Sequence, residues 1–254
     1  MSYKLDVKSL YKSYDGRKIL DNISFSVNRG EFLSVLGVSG CGKTTLLRIL
    51  IGLESADRGE IYKNGREISS YAPNRRGMGI IFQNYALFPN MTVLENVEYA
   101  LKNRRKFRMH AREIALQTLE MIGMADQIDK RPHQLSGGQQ QRVAIARTLA
   151  LRPSIVLLDE PISALDVSNK EIMKRELKEI QRKSRTTMIY ITHDQEEAFF
   201  LSDRIMILHE GKIEQIGTPK EIFESPATPY IQAFVVRHLN DKLESLQRST
   251  GQLV

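Results

Sequence analysis

The sequence predicts an α/β protein in which a helical segment interrupts a chain of alternating strands and helices. Apolar runs of strand length occur in the first third, as at 32–36, and again after Pro153, as at 155–158. From Thr92 to about Leu151 the apolar spacing is helical instead, and no convincing strand is present. The helical stretch is therefore interpreted as an insertion into an α/β fold.

Each element has a local signal of its own. Strands are predicted at 4–10, 18–27, 32–36, 60–62, 78–82, 155–158, 188–191 and 205–208. Helices are predicted at 45–53, within 92–151, at about 169–183, from 195 and from 219. Thr92 with Glu95, and Thr218 with Glu221, have the spacing of capping boxes that begin helices. The tail after Leu239 is polar, and we expect it to be poorly ordered.

Composition narrows the class of protein. The 254 residues are 41% hydrophobic and 26% charged, which is typical of a globular protein with one large domain or one domain carrying an insertion. No run approaches the roughly 18 apolar residues that a membrane helix needs. The charged residues Lys4 and Asp6 fall where a secretory signal needs apolar residues, so secretion is not expected.

The chain is basic, with 37 Lys and Arg against 30 Asp and Glu, a net charge of +7. This charge permits attraction to nucleic acid or to an anionic membrane surface but indicates neither. The densest basic run, at 102–112, contains one aromatic residue and no RNA-recognition pattern. We interpret it as a solvated helix end, and no nucleic acid partner is expected.

A glycine-rich loop separates the third predicted strand from the first predicted helix. It consists of Gly37, Val38, Ser39, Gly40, Cys41, Gly42, Lys43 and Thr44, and it fits the GxxxxGKT phosphate-binding pattern. Glycines let the backbone wrap around an anion, so that N–H groups and the helix N-terminus point at phosphates. Lys43 is expected to reach the β- and γ-phosphates, and the Thr44 hydroxyl to bind Mg²⁺. A chance glycine-rich turn is the alternative, which the flanking strand and helix disfavour.

Cys41 is the only cysteine, so an internal disulfide is impossible, which fits a reducing cytosol. The positive field of Lys43 and of the helix N-terminus is expected to favour its thiolate. Alkylation would then block nucleotide binding. The alternative is that cysteine only fills a position that needs a small residue.

An apolar run that begins at Ser154 ends in two acids, Asp159 and Glu160. In a parallel sheet these carboxylates lie at the C-terminal edge, where ligands bind. Asp159 is expected to hold Mg²⁺, and Glu160 to polarise the attacking water as a general base. An acidic pair that merely begins a turn is the alternative.

The most specific pattern is the sequence Leu135, Ser136, Gly137, Gly138 and Gln139. Ser136 and Gln139 have capping-box spacing, and the residues that follow are helical. A capped helix N-terminus flanked by glycines is itself an anion-binding site, so the two interpretations agree.

Together these motifs resemble the nucleotide-binding subunits of ATP-binding cassette transporters. The Walker A loop at 37–44, the LSGGQ signature at 135–139, the Walker B strand at 154–160 and the D-loop at 163–166 occur in the order found in that family. The resemblance covers roughly residues 3–237 and implies a P-loop NTPase with a RecA-like core, an antiparallel β subdomain and an inserted helical subdomain. It implies an ATPase domain over 1–237, with the core at about 1–83 and 152–237, the helical subdomain at about 84–151, and a short polar tail at 238–254.

The resemblance also assigns roles to single residues. Tyr14 resembles the aromatic that stacks on adenine, Gln83 the glutamine at Mg²⁺ and the attacking water, and His193 the histidine that contacts the γ-phosphate. On local sequence alone each of these three has an ordinary structural alternative. Thr45 joins the nucleotide-binding loop, and Asp166 ends the D-loop. In the family two subunits pair head to tail, so Ser136 and Gly138 of one subunit complete the ATP site built on Lys43 of the other.

The stretches 83–96 and 192–198 look like those of importers for polyamines, ferric iron, sulfate, phosphonates and related solutes. Such systems use a membrane permease and an extracytoplasmic binding protein, and the ATPase lies at the cytoplasmic face of the membrane. Tyr85, Leu87, Phe88 and Met91 are candidate contacts with the permease, or else they pack in the subunit's own core. The alternatives are an exporter subunit and a soluble ATPase that acts on nucleic acid or the ribosome.

Many relatives carry a further β-rich regulatory domain. Only the 17 residues after Arg237 follow the cassette here, so regulation through such a domain is not expected.

Overall fold

The computed structural model describes residues 3–249, which divide into two compact units. Within the described residues, the first unit comprises 3–49, 54–69 and 191–249, and the second comprises 50–53 and 70–190. None of the described helices is both long enough and apolar enough to cross a bilayer.

The secondary structure alternates through both units. In chain order the strands are β1 (Leu5–Tyr14), β2 (Arg17–Val27), β3 (Phe32–Leu36), β4 (Arg58–Lys63), β5 (Arg66–Glu67), β6 (Met78–Ile81), β7 (Ile155–Asp159), β8 (Thr187–Thr192), β9 (Arg204–His209) and β10 (Lys212–Gly217). The helices are α1 (Lys43–Ile51), α2 (Pro73–Arg76), α3 (Val93–Lys102), α4 (Ala111–Met121), α5 (Gly137–Leu149), α6 (Val167–Ser184), α7 (Gln195–Leu201), α8 (Pro219–Glu224), α9 (Pro229–Ile231) and α10 (His238–Ser249). Short 3₁₀ turns lie at 108–110, 125–127 and 132–134, and a π-helical turn at 232–237 joins α9 to α10.

In the first unit, β2, β1, β4 and β5 form an antiparallel sheet in that order. A second set of neighbouring strands runs β10, β9, β3, with β3 parallel to β9 and Leu36 opposite Ile207. All five residues of β3 are buried, which explains why four of them are apolar, and the fifth, Ser34, accepts a hydrogen bond from the Ser202 hydroxyl. Leu36 and Ile207 lie in an apolar cluster with Ile222 and Val235, which anchors the C-terminal helices.

In the second unit, β8, β7 and β6 are neighbours, and β6 runs parallel to β7 with Ile80 opposite Leu157. The helical stretch expected at 84–151 appears as α3, α4 and α5 with the 3₁₀ turns, all inside this unit. Thr92 with Glu95, and Ser136 with Gln139, form the expected capping boxes.

Four elements differ from the sequence expectations. The strands β5 and β10 and the short helix α2 were not predicted, because their residues are mostly exposed or only half-buried and leave no apolar run. The tail after Leu239, expected to be poorly ordered, is helical from His238 to Ser249. Its polar composition is that of a surface helix: Leu239 packs on the apolar cluster and Lys242 pairs with Glu196. Residues 250–254 lie outside the described residues.

Candidate nucleotide site

The phosphate loop in the first unit runs from the end of β3 into α1, as the sequence predicts. Gly37 and Gly42 have no room for a side chain. A Cβ on Gly37 would lie 2.3 Å from the Leu208 carbonyl oxygen, and one on Gly42 would lie 2.7 Å from the Ile19 carbonyl oxygen. Gly42 also has a φ of +107°, which side chains rarely adopt. Glycine at these two positions is therefore required by the close approach of neighbouring strands.

Lys43 is only 5% exposed, and its ammonium is enclosed by its own loop. Its Nζ donates hydrogen bonds to the carbonyl oxygens of Gly37 at 2.8 Å and Val38 at 2.9 Å. No acidic residue lies in the first turn of α1, so nothing there opposes the positive helix N-terminus. Val38, Ser39, Gly40 and Thr44 are exposed and Thr45 is half-buried. The loop thus combines a buried ammonium, a helix N-terminus and an open backbone face, the combination that binds phosphate.

The expectation that the surroundings of Cys41 favour its thiolate is wrong. The thiol is 5% exposed, and burial raises its pKa above the usual value although the neighbouring Lys43 charge lowers it. Desolvation is the larger effect, because a thiolate without water is costly and Lys43 Nζ is 4.0 Å from the sulfur. The thiol packs against Gly37, where a Cβ would lie 2.7 Å from Sγ.

A cleft of about 380 Å³ opens beside the phosphate loop. It is lined by residues 17–19 of β2, by 38–41 of the loop and by 209–211 at the turn between β9 and β10. Arg17 and Lys18 add basic side chains that the sequence analysis missed, since no motif marks them and only the fold brings them to the loop.

Tyr14 lies at the end of β1 with 41% of its surface exposed. Its hydroxyl donates a hydrogen bond to the Glu54 carboxylate, which raises the pKa of Tyr14. Lys12 Nζ lies 5.0 Å from the ring centroid and 3.2 Å from a carboxylate oxygen of Glu54. The ring is therefore held in place but still accessible, and its stacking on adenine stays a prediction.

His193 is exposed between β8 and α7, and the residues on either side of it are fixed. Asp194 caps α7 by accepting hydrogen bonds from the backbone N–H groups of Glu196 at 2.8 Å and Glu197 at 3.1 Å. Thr192 Oγ1 donates to the Glu197 carboxylate at 2.7 Å and accepts from the Asp194 N–H at 3.0 Å. The imidazole therefore projects from a rigid turn.

In the second unit, the structure brings Gln83 together with the loop after β7. Gln83 Nε2 donates to Ser163 Oγ at 3.0 Å, and Ser163 Oγ donates in turn to the Glu160 carbonyl oxygen at 2.9 Å. The Ser163 N–H also points at that oxygen, at 3.3 Å. Glu160 has a φ of +43°, a strained conformation of the kind that clusters at functional sites. Asp159 is half-buried at the end of β7.

The signature residues form the N-terminus of α5. The Ser136 hydroxyl accepts from the Gln139 N–H at 3.3 Å, and the Gln139 side chain accepts from the Ser136 N–H at 3.0 Å. A Cβ on Gly138 would meet nothing within 4 Å in the described residues, whereas one on Gly137 would lie 3.1 Å from Leu165. The helix N-terminus at Gly138 is therefore open to a ligand.

Asp166 caps α6, where it accepts hydrogen bonds from the backbone and side chain of Asn169 at 3.0 and 2.6 Å. These bonds lower the pKa of Asp166. Among residues 3–249 no three His, Cys, Asp or Glu side chains are grouped as metal ligands. The predicted Mg²⁺ donors are a hydroxyl of Thr44 in the first unit and, in the second, the side chains of Gln83 and Asp159.

The four candidate permease contacts differ in exposure, which bears on whether each one contacts the permease or packs in the core of its own subunit. Tyr85 is buried, Leu87 and Met91 are half-buried, and Phe88 is 36% exposed. Tyr85 therefore belongs to the core of its own unit, and Phe88 remains available at the surface.

A phosphate loop between a buried strand and a helix, with acids at the end of another buried strand, defines a P-loop nucleotide-binding protein. The profile of the family described as ABC transporter matches residues 20–163, and the chain belongs to that family.

Similar proteins agree with this assignment. The chain is 47% identical to the spermidine/putrescine import ATP-binding protein PotA of Lawsonia intracellularis, over 91% of this chain and 63% of that protein. It is 48% identical to the sulfate/thiosulfate import ATP-binding protein CysA 2 of Chromobacterium violaceum, over 92% of this chain and 64% of that protein. The chain thus spans less than two thirds of these relatives. Among solved structures, the ATP-binding cassette MJ0796, a dimer in a post-hydrolysis state with ADP and Pi, matches with a TM-score of 0.74 and 34% identity, over 85% of this chain and 98% of that one.

Proposed function

We propose that this chain is the ATP-hydrolysing subunit of an ABC importer and works as a head-to-tail dimer on a separate membrane permease. The observation that carries the proposal is the phosphate loop, with a buried Lys43 and an unopposed helix N-terminus on an open backbone face. Such a loop binds the phosphates of a nucleotide, and Tyr14 offers an accessible aromatic ring for a base.

The Lys43 ammonium has three donors, of which two bind the carbonyl oxygens of Gly37 and Val38, so a third N–H would be available to a phosphate oxygen of ATP. The N–H groups at the start of α1 point at the same oxygens. Arg17, which lines the adjoining cleft, adds positive charge on that side, whereas Lys18 pairs with Asp21 and Glu210 also lines the cleft. The positive charge is therefore concentrated at the phosphate loop itself.

The predicted donors also fit Mg²⁺, because hydroxyl, amide and carboxylate oxygens are the ligands this ion prefers. Thr44, Gln83 and Asp159 would hold it, and when bound the ion neutralises charge on the phosphates. Since Gln83 Nε2 donates to Ser163, its amide oxygen is the atom left to face a ligand.

For hydrolysis, we assign Glu160 as the general base that takes a proton from the attacking water. Its backbone carbonyl accepts a hydrogen bond from Ser163, which fixes the turn that carries the side chain. Gln83 orients the water, and His193 donates to the γ-phosphate from its rigid turn. Catalysis then rests on positioning and charge stabilisation.

The signature residues and Asp166 would act across the interface of a dimer. Ser136, Gly137, Gly138 and Gln139 of one copy would contact the γ-phosphate held by Lys43 of the other, with Asp166 beside the junction. The open space at Gly138 supports this proposal, since no atom of the described residues lies within 4 Å of a Cβ built there, at a capped helix N-terminus that can bind an anion. The dimeric ADP and Pi complex of the relative MJ0796 supports it as well.

Import is proposed because the relatives PotA and CysA 2 are import ATP-binding proteins. The chain would then lie on the cytoplasmic face of a membrane, contact the permease near Phe88 and serve an extracytoplasmic solute-binding protein.

Glu160→Gln tests the catalytic assignment. The amide keeps the shape of the side chain but cannot take the proton, so hydrolysis should fall by about 100-fold or more while ATP binding survives. The variant should accumulate as an ATP-bound dimer in size-exclusion chromatography.

Glu179→Gln is the matched control, because Glu179 is a surface residue that pairs with Lys183 on α6, and its replacement should leave hydrolysis unchanged. Turnover of Glu160→Gln within a few-fold of wild type would remove Glu160 from the role of base.

A further inference from the structure

The segment that follows Gln83 contains an unusual stretch of backbone. Tyr85 and Ala86 have φ angles of +59° and +46°, so two consecutive residues with side chains lie in the left-handed region. This region is disfavoured for every residue that carries a Cβ, and two in succession require an external restraint. Local hydrogen bonds from Tyr85 N to Phe82 O at 3.0 Å and from Ala86 N to Asn84 O at 2.6 Å close the turn.

The restraint comes from Arg147, in the last turn of α5. Its guanidinium donates to the Ala86 carbonyl oxygen at 2.7 Å and to the Tyr85 carbonyl oxygen at 3.0 Å. Its Cζ lies 5.6 Å from the ring centroid of Phe88, the next aromatic of the segment. Arg147 pairs with no carboxylate in the described part of the chain, and burial lowers its pKa. The guanidinium therefore binds these two carbonyl oxygens and not a carboxylate.

Helix α5 also approaches this segment at its own N-terminal end, near Gly137. The Tyr85 hydroxyl is buried without a hydrogen-bond partner, and it lies 3.9 Å from where a Cβ on Gly137 would be. Tyr85 therefore packs beneath the signature residues, while Arg147 holds its backbone.

Gln83, two residues earlier, donates to Ser163, which donates to Glu160. Because Tyr85 N donates to the Phe82 carbonyl oxygen, the turn at Tyr85 and Ala86 is closed on the residue next to Gln83, and a change in that turn can reach Gln83.

We propose that Arg147 is a positioning residue: its guanidinium holds Tyr85 and Ala86 in the left-handed conformation and thereby sets Gln83 against Ser163 and Glu160. The inference rests on the proposed function, in which Gln83 and Glu160 act on the attacking water. It ties the signature helix to the Gln83 loop through one side chain.

The chemistry of arginine allows a selective test. Arg147→Lys keeps the positive charge, but an ammonium is a point donor and cannot match the planar fork that spans two carbonyls. Ala86→Gly then removes the conformational penalty that Arg147 counteracts, since glycine adopts positive φ freely. Arg152→Gly is the matched control, because Arg152 is exposed, has a φ of +51° and does not contact the segment.

We expect amide hydrogen exchange at residues 84–88 in Arg147→Lys to accelerate by about tenfold, since the restraint on the left-handed pair is lost. ATP turnover, measured as kcat, should fall by about tenfold with KM for ATP within about twofold of wild type. Adding Ala86→Gly to Arg147→Lys should return both the exchange rate and kcat most of the way to the wild-type values. Adding Arg152→Gly should return neither.

Ala86→Val is a second variant that leaves Arg147 intact, in case Arg147→Lys folds poorly. Ala86 is exposed, so valine has room, but a β-branched residue resists the left-handed region. It should lower kcat without changing KM. Full turnover in Ala86→Val, unchanged exchange in Arg147→Lys, or equal rescue by both glycines would overturn the proposal. If the wild type itself fails to hydrolyse ATP, the proposed function fails, while the exchange measurements still decide the role of Arg147.

Discussion

At position 41, burial and charge act on the thiol in opposite directions. The sequence shows only the charge, because Lys43 and the helix N-terminus are adjacent in the chain. Burial against Gly37 depends on how β3 and α1 pack, and it raises the pKa of Cys41 above the usual value. At any given pH, a raised pKa means a smaller fraction of the reactive thiolate.

Cys41 should therefore react slowly with iodoacetamide. At pH 7.5 we expect the native chain to be labelled at least about tenfold more slowly than N-acetylcysteine, because both thiolate fraction and access are reduced. The chain in urea serves as the control, and it should label at the rate of the free thiol. Mass spectrometry reads the reaction cleanly, since this is the only cysteine. Native labelling faster than the free thiol would restore the thiolate interpretation.

Other residues differ in how far sequence alone could identify them. The motif residues of the phosphate loop and the signature are contiguous in the chain, so their chemistry could be predicted from spacing. Arg17 and Lys18 join the cleft from β2, and Arg147 reaches Tyr85 and Ala86 from more than sixty residues away. No local pattern marks such residues, because their positions depend on tertiary packing.

At the scale of elements, the packing of α10 leads to a prediction about the free energy of unfolding. Leu239 packs against the apolar cluster of the first unit, whereas Leu243, one turn later, is 53% exposed. Leu239→Ala should lower the free energy of unfolding by about 1–2 kcal/mol, which is below the range of about 2–5 kcal/mol for fully buried leucine, because Leu239 is only partly buried. Leu243→Ala on the same helix should change it by less than about 0.5 kcal/mol.

Chemical denaturation of the two variants checks this expectation. Equal, small effects would mean that α10 does not contribute its leucine to the core, and that the tail behaves as its polar composition suggests.

The strands and helices also show which sequence patterns are sufficient to predict secondary structure. The buried strands β3, β7 and β8 consist mostly of apolar residues and were predicted almost to the residue. The antiparallel strand β10 has mostly half-buried residues, so its sequence carries neither a run nor a clear alternation. Helix α10 is polar except for a narrow apolar side, and this composition alone does not separate a surface helix from a flexible tail.

At the scale of the whole molecule, the proposed dimer can be tested with two inactive variants, Lys43→Ala and Ser136→Arg. In a heterodimer of the two, one composite site carries both lesions and the other carries neither. Mixing should therefore restore ATP binding at one site per heterodimer, with partial hydrolysis. Ser136→Arg places bulk where the open helix N-terminus should meet the γ-phosphate.

The measurement is ATP bound per dimer in the mixture and in each variant alone. Ser136→Thr keeps the N-cap hydroxyl and should bind ATP normally, which separates loss of the cap from steric exclusion. If each subunit used its own signature residues, every site would keep a lesion. An absence of recovery, with heterodimers shown by crosslinking, would contradict the head-to-tail arrangement.

The hydrogen bonds of Lys43 to Gly37 and Val38 have a consequence for the kinetics of nucleotide capture. They join the lysine side chain to the backbone of its own loop, so we expect nucleotide association to order little of this segment. The cost of binding is then mainly the loss of translational and rotational freedom of the nucleotide. Because a third donor of the ammonium can bind a phosphate oxygen while the two loop bonds remain, binding need not break them. Capture of the first nucleotide should thus be governed by diffusional encounter, with electrostatic attraction to the positive phosphate loop accelerating it.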